Sequence, residues 1–478
     1  MNMHSNYIGG AWTSAARMID VISPSDGRKL AEIPRSGAAE VDAAVSAAQA
    51  ALDGEWGKLN ATARGRLLLR LSQLITRDAE ALARLESDDV GKPVSQARSD
   101  VTSCARYFEY YAGAADKVHG ETIPSLNDHL VMTIYEPHGV TAHIVPWNYP
   151  LQMMGRSVAP ALAMGNAIVL KPAEDTPLTA IALAKLAEEA GFPQGSFNVV
   201  TGLGEEAGAA LAAHPGISHI SFTGSREVGM LVQAAAARNT IPVTLELGGK
   251  SPQIVFADAA LVDAATAIVK AITQNAGQTC SAGSRVLIED SIYDSFTADL
   301  AKRFRELRVG AGADDLDLGP LVNAKQKERV EAYIALARKD GLSILAETEI
   351  AARTDNNGFF VRPTLIGDVP PEHRLAQEEI FGPVLVAIRI KNEDDAVAIA
   401  NGTPYGLAAG VWTADMGRGL RLAKRIKSGQ VFINNYGAGG GVEMPFGGVK
   451  ASGHGREKGF EALYGFASMK MIAIKHGG

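Results

Sequence analysis

Apolar positions in the first hundred residues recur at helical spacing. Residues 38–52 and 61–85 are rich in Ala and Leu with that period, so the N-terminal region is predicted to be mostly helical. From about His138 the period changes. Residues 139–145 form a β-rich run ending at Pro146, and residues 167–170 are a short apolar run suited to a buried strand. Thr176-Pro177 then supplies an N-cap and first-turn pair for a helix over 178–190 that stops at Gly191. The alternation continues with strand 197–200, helix 205–213, strand 218–222, helix 226–238 and strand 243–245.

Strands alternating with helices over this distance predict a parallel, doubly wound sheet, with ligands beyond the carboxyl ends of its strands. A second alternating series runs from residue 252 to 433, with strands near Ile254, Val286, Leu385 and Val431, and reads as a separate α/β unit. No repeat, low-complexity tract or long linker interrupts either series.

Composition narrows the partners. Hydrophobic residues make up 46% of the 478 and charged residues 21%, with a net charge of −7 spread along the chain. Neither a basic field for nucleic acid nor a membrane-spanning run is present, so the expected partner is a small molecule. The first twelve residues have no signal-peptide pattern. Only two cysteines occur, Cys104 and Cys280, which excludes a disulfide framework and a multi-cysteine zinc site. A reducing cytoplasm is the expected location and no metal is expected.

Four loops carry candidate chemistry. Phe222-Thr-Gly-Ser-Arg-Glu-Val-Gly229 turns from a strand into a helix at Gly224 and Ser225. The N–H groups at such a helix start favour an anion such as a pyrophosphate, and Gly229 lets the helix pack closely. An ordinary strand-to-helix turn has the same look; Gly202 and Gly204, after an earlier strand of the same sheet, weigh toward the ligand. Lys171 and Glu174 follow the strand 167–170, either as a solvated ion pair or as a cation and a ribose-binding carboxylate. Glu246 ends a strand beside Gly248 and Gly249, where a ligand can approach the backbone; alone it is an ordinary strand-end acid. Cys280 lies in Gln274-Asn-Ala-Gly-Gln-Thr-Cys-Ser-Ala-Gly283, a polar, glycine-flanked stretch with no apolar period. A lone cysteine is commonly a small buried hydrophobe, and Cys104, in the aromatic-rich helical stretch 101–111, reads that way. Cys280 sits in poor surroundings for packing and is the candidate nucleophile.

Together these segments resemble the aldehyde dehydrogenase superfamily over nearly the whole chain. The matching segments, in order, are Val145-Pro-Trp-Asn-Tyr-Pro150, Leu170-Lys-Pro-Ala-Glu174, Phe222-Thr-Gly-Ser225, Leu245-Glu-Leu-Gly-Gly-Lys250, Gly277-Gln-Thr-Cys280, Glu379-Ile-Phe-Gly-Pro383 and Pro445-Phe-Gly-Gly448. Glu246 precedes Cys280 by 34 residues, as in the family. The resemblance implies two doubly wound α/β domains with a small β oligomerisation flap. The Rossmann-like NAD-binding domain is expected from residues 1–120 and 139–247, and the catalytic domain from 248–440. The flap strands are expected from 121–138 and 460–478, in a homo-oligomer (dimer or tetramer).

By the same resemblance Cys280 is the nucleophile, Glu246 the general base, and the Asn148 amide with the Cys280 backbone N–H the oxyanion hole. Lys171 belongs to this catalytic set and also to the cofactor set of Val145, Trp147, Glu174, Gly204, Gly224, Ser225, Gly229, Gly248, Glu379 and Phe381. Glu174 is similar to the acid of members that prefer NAD+, with NADP+ also accepted by some. The implied reaction oxidises an aldehyde to its acid through a thioester. The alternatives are a CoA-acylating relative, which generally lacks the glutamate at 246, and a catalytically silent one.

The substrate pocket is expected from Tyr149, Met153 and Arg156, which share one helical face, with Phe446 opposite. The Gly-Ala-Gly-Gly-Gly-Val run at 437–442 lacks bulky side chains and predicts a wide tunnel. Arg156 is similar to the arginine with which succinate-semialdehyde dehydrogenases hold a distal carboxylate. The second arginine of those enzymes is absent, and Gln274 stands there. Arg156 therefore points to an aldehyde with an acidic tail or a broad aromatic body, or else belongs to a structural salt bridge.

Overall fold

The apolar run Ala167–Lys171 is buried at every position because it lies inside a sheet, with a parallel strand on each side. A computed structural model describes residues 5–350, 357–437 and 441–476. In its first sheet the spatial order is Gly453–His454, Val243–Glu246, His219–Thr223, Val140–Ile144, Ala167–Lys171, Phe197–Val199, Asn6–Ile8 and Ala11–Thr13. The five strands between residues 140 and 246 are mutually parallel. From Val140–Ile144 the chain steps one way to 167–171 and 197–199, then returns to the other side with His219–Thr223. That reversal opens a crevice at the carboxyl ends of Val140–Ile144 and His219–Thr223, where doubly wound sheets hold their ligands.

The second sheet runs Ser343–Glu347, Thr364–Gly367, Val384–Ile390, Arg285–Glu289, Pro252–Val255, Ala408–Trp412 and Gln430–Ile433, all parallel except Ser343–Glu347. The fold is thus α/β with two largely parallel sheets, as the alternating pattern predicts. Strand Ala467–Lys475 pairs along its whole length with His129–Pro137, which also pairs with Thr122–Ile123. In this third sheet Met469, Met471 and Ile474 are exposed.

Several local expectations need correction. Residues 6–34 are not helical; they form four short strands, two on the edge of the first sheet and two paired with each other. Residues 61–85 hold two helices, Ala61–Arg77 and Ala79–Val90, which meet at Asp78, where φ −97° and ψ 17° leave the helical region. Thr176 does not cap the helix Leu178–Ala190. Pro177 holds the cap position, and the Leu178 N–H donates instead to Asp89 Oδ2 at 2.9 Å. Residues 205–213 begin as a wide turn, Gly204–Gly208, before the α-helix Ala209–Ala213. Periodicity cannot show these features, because a distant carboxylate or an edge strand's partner decides them.

Among the described residues no helix is long and apolar enough to cross a membrane, and no group of three His, Cys, Asp or Glu side chains is placed to hold a metal ion.

Candidate active site

A cavity of about 1420 Å³ opens between the crevice of the first sheet and the second sheet. Cys280, Glu246 and Asn148 all line it, although their positions span more than 130 residues of chain. Each comes from the end of a regular element. Glu246 is the last residue of Val243–Glu246, Asn148 follows Val140–Ile144, and Cys280 lies in the loop after the turn Gln274–Gly277.

That loop is held open by unusual backbone. Asn275, Ala276 and Gly277 take φ of 49°, 52° and 74°, and a Cβ on Gly277 would stand 2.2 Å from the Gly382 carbonyl oxygen. Only glycine fits there. The Asn275 side chain donates to the Asn148 carbonyl at 2.8 Å, and Asn148 Nδ2 donates to the Gln278 carbonyl at 2.9 Å. One amide proton fixes Asn148 against the cysteine loop; the amide carries a second.

Burial pushes the Cys280 thiol up to about 12, against the pull of Arg156, so the thiol is protonated at neutral pH. The Cys104 thiol is wholly buried in the core around helix Val94–Ala114. Burial also pushes the Glu246 carboxyl well above the usual carboxylate range, Arg156 opposing. Neither Glu246 oxygen has a hydrogen-bond partner. A buried carboxyl without partners is costly to maintain and is the kind of group found where protons are exchanged.

The remaining cofactor candidates divide. Trp147, Gly224, Ser225, Gly248, Glu379 and Phe381 line the cavity. Ser225 caps the helix Arg226–Arg238, its hydroxyl accepting from the Val228 N–H at 3.3 Å. Phe381, at φ 64°, meets Trp147 edge to face with centroids 5.3 Å apart. Glu379 Oε1 accepts from the Gly249 N–H at 2.8 Å, and burial raises its carboxyl to about 7. Val145, Lys171, Glu174, Gly204 and Gly229 lie outside the cavity lining. Lys171 donates to Glu174 Oε2 at 2.9 Å, and the Gly204 N–H to Glu174 Oε1 at 3.4 Å, a cluster at the next strand ends of the same sheet edge. The structure does not bring Lys171 to the thiol. Gly229 lets its helix close on Leu247, whose Cδ2 would lie 2.6 Å from an added Cβ.

Gly248 has the same function against Glu379: an added Cβ would stand 2.2 Å from Glu379 Oε2. Gly248→Ala is expected to displace that carboxylate, break its hydrogen bond from the Gly249 N–H and cost about 1 kcal/mol. A lower urea midpoint at unchanged slope checks this; an unchanged midpoint contradicts it.

In the expected substrate pocket, Tyr149, Met153, Arg156 and Phe446 all line the cavity. The Tyr149 hydroxyl hydrogen-bonds Thr279 Oγ1 at 2.8 Å, and Lys92 Nζ lies 4.1 Å from its ring centroid. Of the two readings of Arg156, the salt bridge is present: its Nε donates to Glu457. Glu457 went unread in the sequence. Its only signal is a carboxylate inside a glycine-flanked Arg-Glu-Lys run, and its partner is 301 positions away. Of the run 437–442 that predicts a wide tunnel, residues 438–440 lie outside the described residues.

Comparison with known families matches residues 12–472 to the aldehyde dehydrogenase family. The chain is 46% identical to the hydroxyisobutyraldehyde dehydrogenase of Mycolicibacterium austroafricanum, over 98% of this chain and 93% of that protein. It is 41% identical to the betaine aldehyde dehydrogenase of Bacillus subtilis, over 98% and 96%. Among solved structures it resembles the betaine aldehyde dehydrogenase of Staphylococcus aureus in complex with NAD+, with a TM-score of 0.96, 36% identity and coverage of 100% and 95%.

Proposed function

This chain belongs to the aldehyde dehydrogenase family and is an oxidoreductase acting on aldehydes; from that premise we propose that it converts an aldehyde to the free acid with NAD+, through a thioester on Cys280. The observation that carries this reading is the convergence of Cys280, Glu246 and Asn148 on one cavity at the sheet's ligand-binding edge.

The residues fit a dinucleotide. The helix Arg226–Arg238 starts at the cavity with its N–H groups unpaired by the helix, and Gly248 lies bare against the Glu379 carboxylate in the cavity wall. Trp147, Gly224, Ser225, Gly248, Glu379 and Phe381 would hold it, with Lys171 and Glu174 at the ribose; the Glu174 carboxylate disfavours a 2′-phosphate and so favours NAD+ over NADP+. When bound, the dinucleotide supplies the hydride acceptor.

The chain's own groups do the rest. Cys280 Sγ bonds to the carbonyl carbon, and its proton must leave, because burial keeps the thiol protonated. The alkoxide that forms is stabilised by Asn148 Nδ2 and the Cys280 N–H. In the second half-reaction water adds to the thioester carbon while Glu246 takes its proton, and the C–S bond breaks to free the acid. Water rather than CoA is the acyl acceptor, since a general base stands at the thioester. Trapping tests the central step: mass spectrometry of enzyme mixed with aldehyde and NAD+ should find an acyl adduct on Cys280, and repeated absence of one under slowed hydrolysis would refute it.

The preferred substrate is a neutral aldehyde with an aromatic or apolar body. Arg156 is paired with Glu457, and its face packs 4.2 Å from the Phe446 centroid, so its guanidinium is already engaged rather than held out for an acidic tail. Benzaldehyde is expected to exceed succinic semialdehyde in kcat/KM by about tenfold or more, the effect of one lost charge-assisted contact; the reverse order would reinstate the carboxylate reading.

The exposed Met469, Met471 and Ile474 of the third sheet suit pairing with a second copy of the chain. Both cysteines are unpaired, in keeping with a cytoplasmic location.

A further inference from the structure

Arg156 is 3% exposed on the helix Pro150–Met164, and a guanidinium so far from water needs compensation. Its Nε donates to Glu457 Oε2. Glu457 is fixed from its other side, where Oε1 accepts from the Ser221 hydroxyl at 3.0 Å. Ser221 belongs to the strand beside that of Glu246. The far end of the guanidinium is different. Nη2 is buried with no hydrogen-bond partner and stands 3.8 Å from Glu246 Oε2, itself unpartnered. A chain of fixed contacts thus runs from Ser221 through Glu457 to Arg156 and ends one short step from the carboxylate.

We infer that Arg156, clamped by Glu457, is the positioning residue that holds the Glu246 carboxylate in place and ionised for thioester hydrolysis. The inference rests on Glu246 being the base. It gives the buried pair a task that a structural bridge would not have: Glu457 pairs with Nε and leaves Nη2 unbonded 3.8 Å from Glu246 Oε2.

The groups facing Glu246 are Arg156 from the helix, Glu457 and Arg456 from the C-terminal segment, and Cys280 from its loop. Burial raises the Glu246 carboxyl, Arg156 is the chief opposing influence, Glu457 raises it further and Arg456 lowers it. Lys458 faces Arg156, and burial pulls its ammonium down to about 8. Removing Arg156 should therefore move the Glu246 titration upward. Removing the charge of Glu457 should move it downward. Loss of a bridge that only holds the fold and is screened from Glu246 would shift neither midpoint.

The test needs no cofactor. p-Nitrophenyl acetate acylates Cys280 with release of nitrophenolate, and the decay of the isolated acetyl-enzyme is followed by mass spectrometry across pH. In Arg156→Ala the midpoint of the rising limb should move up by about one unit, slowing hydrolysis roughly tenfold on the acid side. In Glu457→Gln, which keeps an acceptor for Arg156 and Ser221, it should move down. Arg156→Ala leaves Glu457 buried and unpaired; where it does not fold, Glu457→Gln alone decides. A midpoint that stays or rises in Glu457→Gln overturns the inference. Glu246→Gln separates the two readings. If its acetyl-enzyme decays like wild type, the general-base assignment fails; if it stalls while the other variants keep the wild-type midpoint, only the role of Arg156 falls.

Discussion

Cys280→Ala is expected to abolish NADH formation from any aldehyde, a loss of about 10⁴-fold or more in kcat, while dinucleotide binding survives. The size follows from what is removed. Without sulfur there is no covalent intermediate, and what remains is positioning and the oxyanion donors, which act on a carbonyl that nothing attacks. The second half of the prediction follows from where the side chain sits. The residues proposed to hold the nucleotide, Trp147, Gly224, Ser225 and Glu379, make no bond to the Cys280 side chain. Titration calorimetry with NAD+ on the variant should give an affinity within about twofold of wild type, a difference below 0.5 kcal/mol. Turnover that persists in the variant would show that the nucleophile lies elsewhere. Cys104 offers no substitute, since it is wholly buried in the helical core.

The thiol's surroundings bear on how it is activated. A group raised to about 12 by burial exists as thiolate only as a small fraction near neutrality. A neighbouring carboxylate raises it further, so an ionised Glu246 does not activate the sulfur by proximity. Glu246 is itself raised by burial. Both groups are protonated more readily than their free counterparts. Arg156 is the leading influence favouring the anion at both groups.

How far the sequence foretold this site depends on the range of the contacts involved. The strand ends carrying Glu246, Asn148 and Gly224 were legible because alternating apolar runs give strands, and doubly wound sheets place ligands at their carboxyl ends. Cys280 was legible because its segment has no apolar period. The clamp on Arg156 was not. Helical spacing puts Arg156 on one face with Tyr149 and Met153, which is correct, but the face alone cannot say whether the guanidinium meets a substrate or a protein carboxylate. Glu457 reaches it from the far end of the chain, through a short strand, Gly453–His454, that closes the edge of the first sheet. The same holds for Asp89 at the start of the helix Leu178–Ala190: a local pattern suggested Thr176, and a residue 89 positions away supplies the acceptor. Periodicity reports which face is buried; charge partners across the fold are set by topology.

Glu246→Gln should separate the two half-reactions. The substitution keeps the shape of the side chain and removes its capacity to take a proton, so hydrolysis slows by about 10²–10⁴-fold, the usual worth of a general base. Acylation needs the thiol's proton to leave only once, and bound aldehyde, Asn148 and the Cys280 N–H remain as they were. Stopped-flow absorbance at the NADH band should show one equivalent released per site in a burst, then a slow steady state. Mass spectrometry during that slow phase should find Cys280 acylated. Stability should change little or improve, because both oxygens of the native carboxyl are buried without partners, and a neutral amide is less costly to desolvate there than an ionised carboxylate. Loss of the burst together with the steady state would mean that Glu246 is needed to deprotonate the thiol as well, and that one carboxylate serves both steps in turn. A wild-type steady state would remove Glu246 from hydrolysis altogether.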